Sequence, residues 1–299
     1  MRIALFGAGA SFGSGMVLPR PPPLGADLFP VLRRLFVTWR SIPESDAGLF
    51  VPNFELGMGS VIEKYGMAVP PLMQDMAILC AGFGLSAGTD NLYWRILADS
   101  STRRDIIWST LNYECLLEIA ASLHGRSVDY FGEPTEASPV TTPIWKLHGS
   151  CNFKVVGLEA GRGVSFGTGV VFSGGIQAIN PSEVRPHYRG ATALYPAMAL
   201  YAKGKTIAMS PEPIRDAQRR WADRVRTADR VLLVGVAPNP ADSHIWGPLR
   251  DTDALVAYVG ARSAWEAWVA EHRRSRSVEF LGERWNSCYG QSATCFSGS

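Results

Sequence analysis

Short runs rich in apolar residues recur at positions 2–6, 105–110, 144–147, 231–236 and 254–259, with a further candidate at 278–281. The runs at 231–236 and 254–259 carry no polar alternation, which is the pattern of strands buried on both faces of a parallel sheet. Between them the period lengthens. Ile214, Ala217, Trp221 and Val225 fall on one face of a helix, with Arg219, Arg220, Arg224 and Arg226 around the rest. Residues 24–36, 114–123 and 263–271 also have helical spacing. Strands alternating with helices predict an α/β fold: a Rossmann-like, mostly parallel sheet with helices on both faces.

Two stretches depart from this rhythm. Residues 41–100 are mostly helical in pattern, broken by Pro70-Pro71 and by the glycines between 82 and 88, and predict a helical insertion. Residues 151–204 are Gly-rich with β-branched patches such as 169–172, which predicts a loop and hairpin insertion. The expected core is therefore 1–40, 101–150 and 205–285, one domain over 1–285, with 286–299 as a C-terminal tail. No internal repeat is visible.

Composition narrows the class. The chain has 299 residues, 46% of them hydrophobic and 19% charged, which is globular rather than disordered. A net charge of +2 argues against a cationic nucleic-acid sleeve, so no direct nucleic-acid binding is expected. Cys80, Cys115, Cys151, Cys288 and Cys295 form no C-x-x-C pair, so a zinc ribbon is not expected, nor is any other metal. An odd, scattered set of thiols suits a reducing compartment. The apolar core at 3–6 is too short for a signal peptide, and the stretch at 76–85 is too short to span a membrane. The expectation is a cytoplasmic protein without a membrane segment.

The candidate chemistry lies at strand ends, where doubly wound sheets bind ligands. Gly7-Ala8-Gly9-Ala10-Ser11 follows the first strand, and glycines there let a backbone approach a pyrophosphate. Phe12 stands where a full G-x-G-x-x-G has its third glycine, so the segment also reads as a tight turn. Asn112, in Thr110-Leu111-Asn112-Tyr113-Glu114, marks a strand-to-helix junction, where an Asn can face a ligand or cap the helix. His148, in Lys146-Leu147-His148-Gly149-Ser150-Cys151-Asn152, sits at a strand end before a glycine, well placed to face a ligand. His124, His187, His244 and His272 lack that setting and read as ordinary surface or structural histidines.

Taken in order, these segments resemble sirtuin-like proteins, and most closely the bacterial sirtuin-like NAD hydrolases of antiviral defence. Their corresponding segments look like Thr-Asn-Tyr-Asp and Lys-Leu-His-Gly-Ser-x-Asn-Trp. A fourth segment, from Gly235 through Asp242 to Ile245, resembles their Gly-Tyr-Ser loop with its later Asp. Glu114 stands where the family has Asp, and Val236-Ala237 replaces the hydroxyl-bearing pair. The zinc-binding cysteines of deacetylase sirtuins have no counterpart.

The resemblance implies an NAD+ glycohydrolase releasing nicotinamide and ADP-ribose, a triggered, NAD-depleting effector with NAD+ as substrate and no metal. Asn112 and His148 would be catalytic, with Asn112 near the ribose and His148 as hydrogen-bond partner or general base. Gly7, Ala8, Gly9, Ala10 and Ser11 would hold the phosphates, with Glu114, Gly235 and Asp242 completing the cofactor site. Self-assembly into a homo-oligomer, or a separate ATPase or Argonaute-type protein, would supply control. An NAD-dependent deacylase or ADP-ribosyltransferase, and a non-catalytic NAD or ADP-ribose-binding module, remain as alternatives.

Overall fold

A computed structural model of the chain describes residues 1–66, 69–135, 140–157, 164–166, 170–172, 174–190, 192–200 and 207–296. In chain order the strands are β1 (Arg2–Phe6), β2 (Ile106–Thr110), β3 (Ser127–Tyr130), β4 (Thr141–Lys146), β5 (Phe153–Val156), β6 (Val164–Phe166), β7 (Val170–Phe172), β8 (Gly175–Ala178), β9 (Arg230–Val234), β10 (Leu255–Val259) and β11 (Val278–Gly282). Seven of them form one sheet in the order β11-β10-β9-β1-β2-β4-β3, every neighbouring pair parallel. β5 pairs with β8 and β6 with β7, both antiparallel, inside the stretch expected to hold hairpins.

Successive residues of a strand face opposite sides of a sheet, and here each side has its own core. Ile3, Leu5, Ile107, Val231, Leu233 and Val256 pack with Trp221 of α10 (Pro211–Thr227), Ile245 and Leu249 of α11 (Ser243–Asp251), and Trp265 and Trp268 of α12 (Arg262–His272). Ala4, Phe6, Ile106, Trp108, Leu232 and Val234 face the other way, into the helices that precede β2 and α8 (Leu116–Leu123). Those helices are α1 (Ala8–Phe12), α2 (Gly25–Leu35), α3 (Val37–Arg40), α4 (Glu44–Ala47), α5 (Phe54–Tyr65), α6 (Val69–Cys80) and α7 (Leu92–Asp99). The 41–100 stretch is thus helical, and its apolar faces cover one side of the sheet.

Three local outcomes differ from expectation. Pro70-Pro71 does not break a helix but opens α6, because the first turn of a helix has no use for the missing N–H groups. β3 has no apolar run behind it: its residues alternate between exposed and half-buried, as an edge strand can, and among the described residues β4 alone pairs with it. The tail expected at 286–299 instead contains α13 (Tyr289–Thr294), which follows α9 (Pro181–Arg189) and the three later helices in chain order. Tyr289, Cys295 and Phe296 are buried, and the Tyr289 hydroxyl donates to Asp99 Oδ2 of α7 at 2.5 Å. Among the described residues no helix is long and apolar enough to cross a membrane.

Candidate functional site

β1 lies at the point where the sheet order reverses: the chain leaves it to build β2, β4 and β3 on one side, then returns to build β9, β10 and β11 on the other. Loops at such a switch point diverge and open a crevice beyond the carboxyl ends of the strands. A cleft of about 840 Å³ lies there. Gly7, Ala8 and Gly9 line it after β1, Leu111 and Asn112 after β2, and His148 after β4. Gly235, Asn239 and Asp242 line it after β9.

The glycine segment is held tightly against the loop after β9. Gly7 N–H donates to Val234 O at 2.9 Å, Gly9 N–H to Gly235 O at 3.1 Å, and Ala10 N–H to Gly7 O at 2.9 Å. A Cβ on Gly7 would lie 2.5 Å from Gly235 O, and one on Gly9 would lie 2.9 Å from Gly235 Cα. Gly235 itself has φ +63°, in the left-handed region where glycine alone is unstrained. These glycines are therefore required by loop-to-loop contact. The Gly9 and Ala10 amides, expected as phosphate donors, are spent on main-chain carbonyls, and Ala10 is buried.

Asn112 does not cap a helix. Its Nδ2 donates to Gly7 O at 3.0 Å and to Ser11 Oγ at 2.8 Å. Cys115 stands at the N-cap of α8, and the first amide of the helix is met by Glu114, whose Oε2 accepts from Leu116 N–H at 2.6 Å. Glu114 Oε1 accepts from Ser11 Oγ at 2.5 Å. Ser11 and Glu114 thus stand behind Asn112 rather than at the cleft wall, both buried. Burial pushes the Glu114 carboxyl above its ordinary range, against the downward pull of the Lys146 ammonium and the Ser11 hydrogen bond. Lys146 is itself wholly buried, donating to Glu114 O at 2.6 Å and pairing with Glu118 Oε1 at 2.9 Å.

His148 owes its place to the turn that follows it. Gly149 has φ +78°, and a Cβ there would meet Ala197 O at 2.0 Å. Ala199 N–H donates to His148 O at 2.8 Å and Ser150 N–H to Ala197 O at 3.1 Å, pinning the turn to the end of the 151–204 insertion. Ser150 and Asn152 face inward: Ser150 Oγ donates to Tyr113 O at 3.3 Å, and Asn152 Nδ2 reaches Tyr130 Oη and Ile179 O. His148 Nε2 lies 3.0 Å from His244 Nε2 and 3.6 Å from Asp242 Oδ1.

The fold therefore brings Gly7, Ala8, Gly9, Asn112, His148, Gly235 and Asp242 to one cleft, with Ala10, Ser11 and Glu114 in the layer beneath. Asp242, expected to complete the cofactor site with Gly235, lies against His148. Two groups escaped sequence reasoning. His244 sits in the first turn of α11, where no strand end drew attention to it. Glu283, Arg284, Trp285 and Asn286 line the cleft directly after β11, a position that the strand-end rule would have marked had β11 been read as part of the site. The ligand atoms of His148, Asp242 and His244 lie within 4.8 Å of one another, a donor set suited to a metal ion. No protein-family model matches this chain, and no curated protein matches it.

Proposed function

We propose that this cleft binds NAD+ and cleaves its nicotinamide–ribose bond by hydrolysis. The observation that carries the reading is the meeting of Asn112 and His148, from two different strand ends, in a crevice walled by the Gly7–Gly9 and Gly235 backbone. A dinucleotide needs a site of this breadth at a switch point. Loss of the cationic nicotinamide leaves an oxocarbenium-like ribose, and water is the acceptor that completes hydrolysis.

The residues divide the work as follows. Both hydrogens of the Asn112 amide are directed inward, to Gly7 O and Ser11 Oγ, so its Oδ1 is the polar atom that remains to meet a ligand. An acceptor there orients the hydrogen of the attacking water or of a ribose hydroxyl. His148 can take a proton as that water adds, or hold a ribose hydroxyl. With the Gly7, Gly9 and Ala10 amides spent on main-chain carbonyls, the glycine contact offers the pyrophosphate a close wall without side chains rather than a set of amide donors. The deciding experiment incubates purified protein, alone and with a crowding agent, with NAD+ and follows products by mass spectrometry. Nicotinamide and ADP-ribose in equal amounts support hydrolysis. Unchanged NAD+ under both conditions overturns it, and a modified acceptor would replace it with group transfer.

A further inference from the structure

We propose that His148, Asp242 and His244 form a binding site for a divalent transition-metal ion of the zinc type, open to the cleft at its fourth position. The ligands come from two separate parts of the chain. His148 follows β4, while Asp242 stands at the N-cap position just before α11 and His244 lies in the first turn of that helix.

The geometry points to a cation. Zinc bonds to imidazole nitrogen and carboxylate oxygen are about 2.0–2.2 Å, so neighbouring ligand atoms of a tetrahedral site stand about 3.3–3.5 Å apart. Here His148 Nε2 is 3.0 Å from His244 Nε2 and 3.6 Å from Asp242 Oδ1, and all three ligand atoms fall within 4.8 Å. Shifts of a few tenths of an ångström, on the order of ordinary thermal displacement, would bring the two edges at His148 to that spacing, and the third, between Asp242 and His244, is no longer than 4.8 Å and closes by side-chain rotation. Two nitrogen donors and one carboxylate select zinc, cobalt(II) or iron(II) over magnesium or calcium, which take oxygen. His148 and Asp242 are nearly buried, at 3% and 5% exposure, so little water competes for them.

The backbone already holds the ligands in place. Ala199 N–H fixes His148 O, and the amides of Ile245 and Trp246 fix Asp242 O at 2.8 and 3.0 Å. Because His148 and Asp242 line the cleft, water or a ligand group can take the open position. Three protein ligands with one open position make an exchangeable site rather than a structural one. Nothing in this assignment depends on NAD+ being the cleft's ligand. A bound cation takes the Nε2 lone pair of His148, so the general-base role proposed for His148 belongs to the metal-free protein, and with metal bound His148 acts as a ligand only.

The test uses the full chain, stripped with a chelator and titrated with zinc against a chromophoric indicator, with bound metal counted by elemental analysis after gel filtration. One zinc per chain is expected, with affinity at least tenfold weaker in His244→Ala and in Asp242→Ala, and unchanged in His187→Ala and His272→Ala. Cobalt(II) gives a second readout, since the visible absorption of the loaded wild-type protein reports a low-coordinate site with nitrogen ligands. That absorption is expected to change shape in His244→Ala even if enough metal is added to saturate it. Circular dichroism confirms that the variants fold; if one does not, His244→Gln takes its place. No zinc binding by the wild-type chain, equal affinity in the folded variants, or an octahedral aqua-like cobalt spectrum would each overturn the assignment.

Discussion

The amide of Asn112 donates to Ser11 Oγ at 2.8 Å, and that bond fixes which end of Asn112 meets the cleft. Ser11 has one hydroxyl hydrogen, and the Glu114 carboxylate 2.5 Å away takes it. Ser11 Oγ is left as an acceptor, so the Asn112 atom against it must be nitrogen, and the Tyr93 hydroxyl at 2.8 Å must also donate. Glu114 thus sets the orientation of an amide it does not touch.

Breaking this relay is expected to act on both stability and chemistry. Ser11→Ala leaves a buried carboxylate oxygen and an amide hydrogen without their partner, a loss of about 1–3 kcal/mol. Glu114→Gln sets an amide against one of its donors, Ser11 O–H or Leu116 N–H, at similar cost. Both variants are expected to melt lower and, on the NAD+ reading, to turn over more slowly. Unchanged melting and unchanged turnover together would show that the relay orients nothing.

Asn112→Ala and His148→Ala test the two residues that face the cleft. Each is expected to lower NAD+ cleavage by about a hundredfold or more, the usual range for loss of a group acting in proton transfer. Since Glu114 rather than Asn112 meets the first amide of α8, Asn112→Ala is not expected to fray that helix. Circular dichroism and product analysis on the same samples check this. Near-wild-type cleavage by either variant removes that residue from the mechanism.

Gly235→Ala addresses the wall between the two loops. A Cβ at Gly235 would stand 2.1 Å from Ala10 N and 2.4 Å from Gly9 C, on a backbone at φ +63°. Strain alone costs about 1–3 kcal/mol, and the clash must push the Gly7–Ser11 segment outward. A lower melting temperature together with weakened nucleotide binding, measured by calorimetry, is expected. A variant that melts and binds as the wild type does would show that the loops separate freely.

Lys146→Met should be among the most damaging single changes outside the cleft. It strips the partner from Glu118 and from Glu114 O in a buried setting, where removing one member of an ion pair costs about 3–5 kcal/mol. Lys146→Met with Glu118→Leu, which removes both charges, is expected to recover part of that loss in urea unfolding. A double variant no more stable than the single one would count against the buried pair as the cause.

Acid should weaken the start of β2. The Arg103 guanidinium grips Asp105 through two bonds of 2.8 Å and holds its carboxyl below the ordinary range. A depressed carboxyl stabilises the fold above its unfolded pKa of about 3.9 and loses that contribution as pH falls through the folded value. The melting temperature of the wild type should therefore fall more steeply below about pH 4 than that of Arg103→Ala. Parallel curves would assign the acid sensitivity elsewhere.

The sequence made β1, β2, β9 and β10 legible because a strand covered on both faces cannot hide its apolar run. β3 was not legible, since an edge strand can keep Ser127 and Asp129 toward water. The same limit applies to the site. Gly7, Asn112 and His148 each follow a buried strand, and position alone marks them. His244 meets His148 only because α11 begins beside the end of β4, and no spacing along the chain encodes that meeting. The roles of Ser11 and Glu114 likewise come from a hydrogen bond between β1 and β2 loops, not from their neighbours in sequence.

The place of β1 in the middle of the sheet governs the order in which the protein can assemble. Arg2 pairs with Ile106 on one side and with Arg230 on the other, so β1 is made long before its second neighbour, β9. Until the chain has been made past Gly235, the Gly7–Gly9 turn has no surface to rest on, and an apolar strand edge stays open to pairing with other chains. A nascent chain interrupted before β9 lacks Gly235, Asn239 and Asp242, and with them one wall of the cleft. Whatever the cleft binds, it can do so only once β9 has paired beside β1 and Gly235 rests against the Gly7–Gly9 turn.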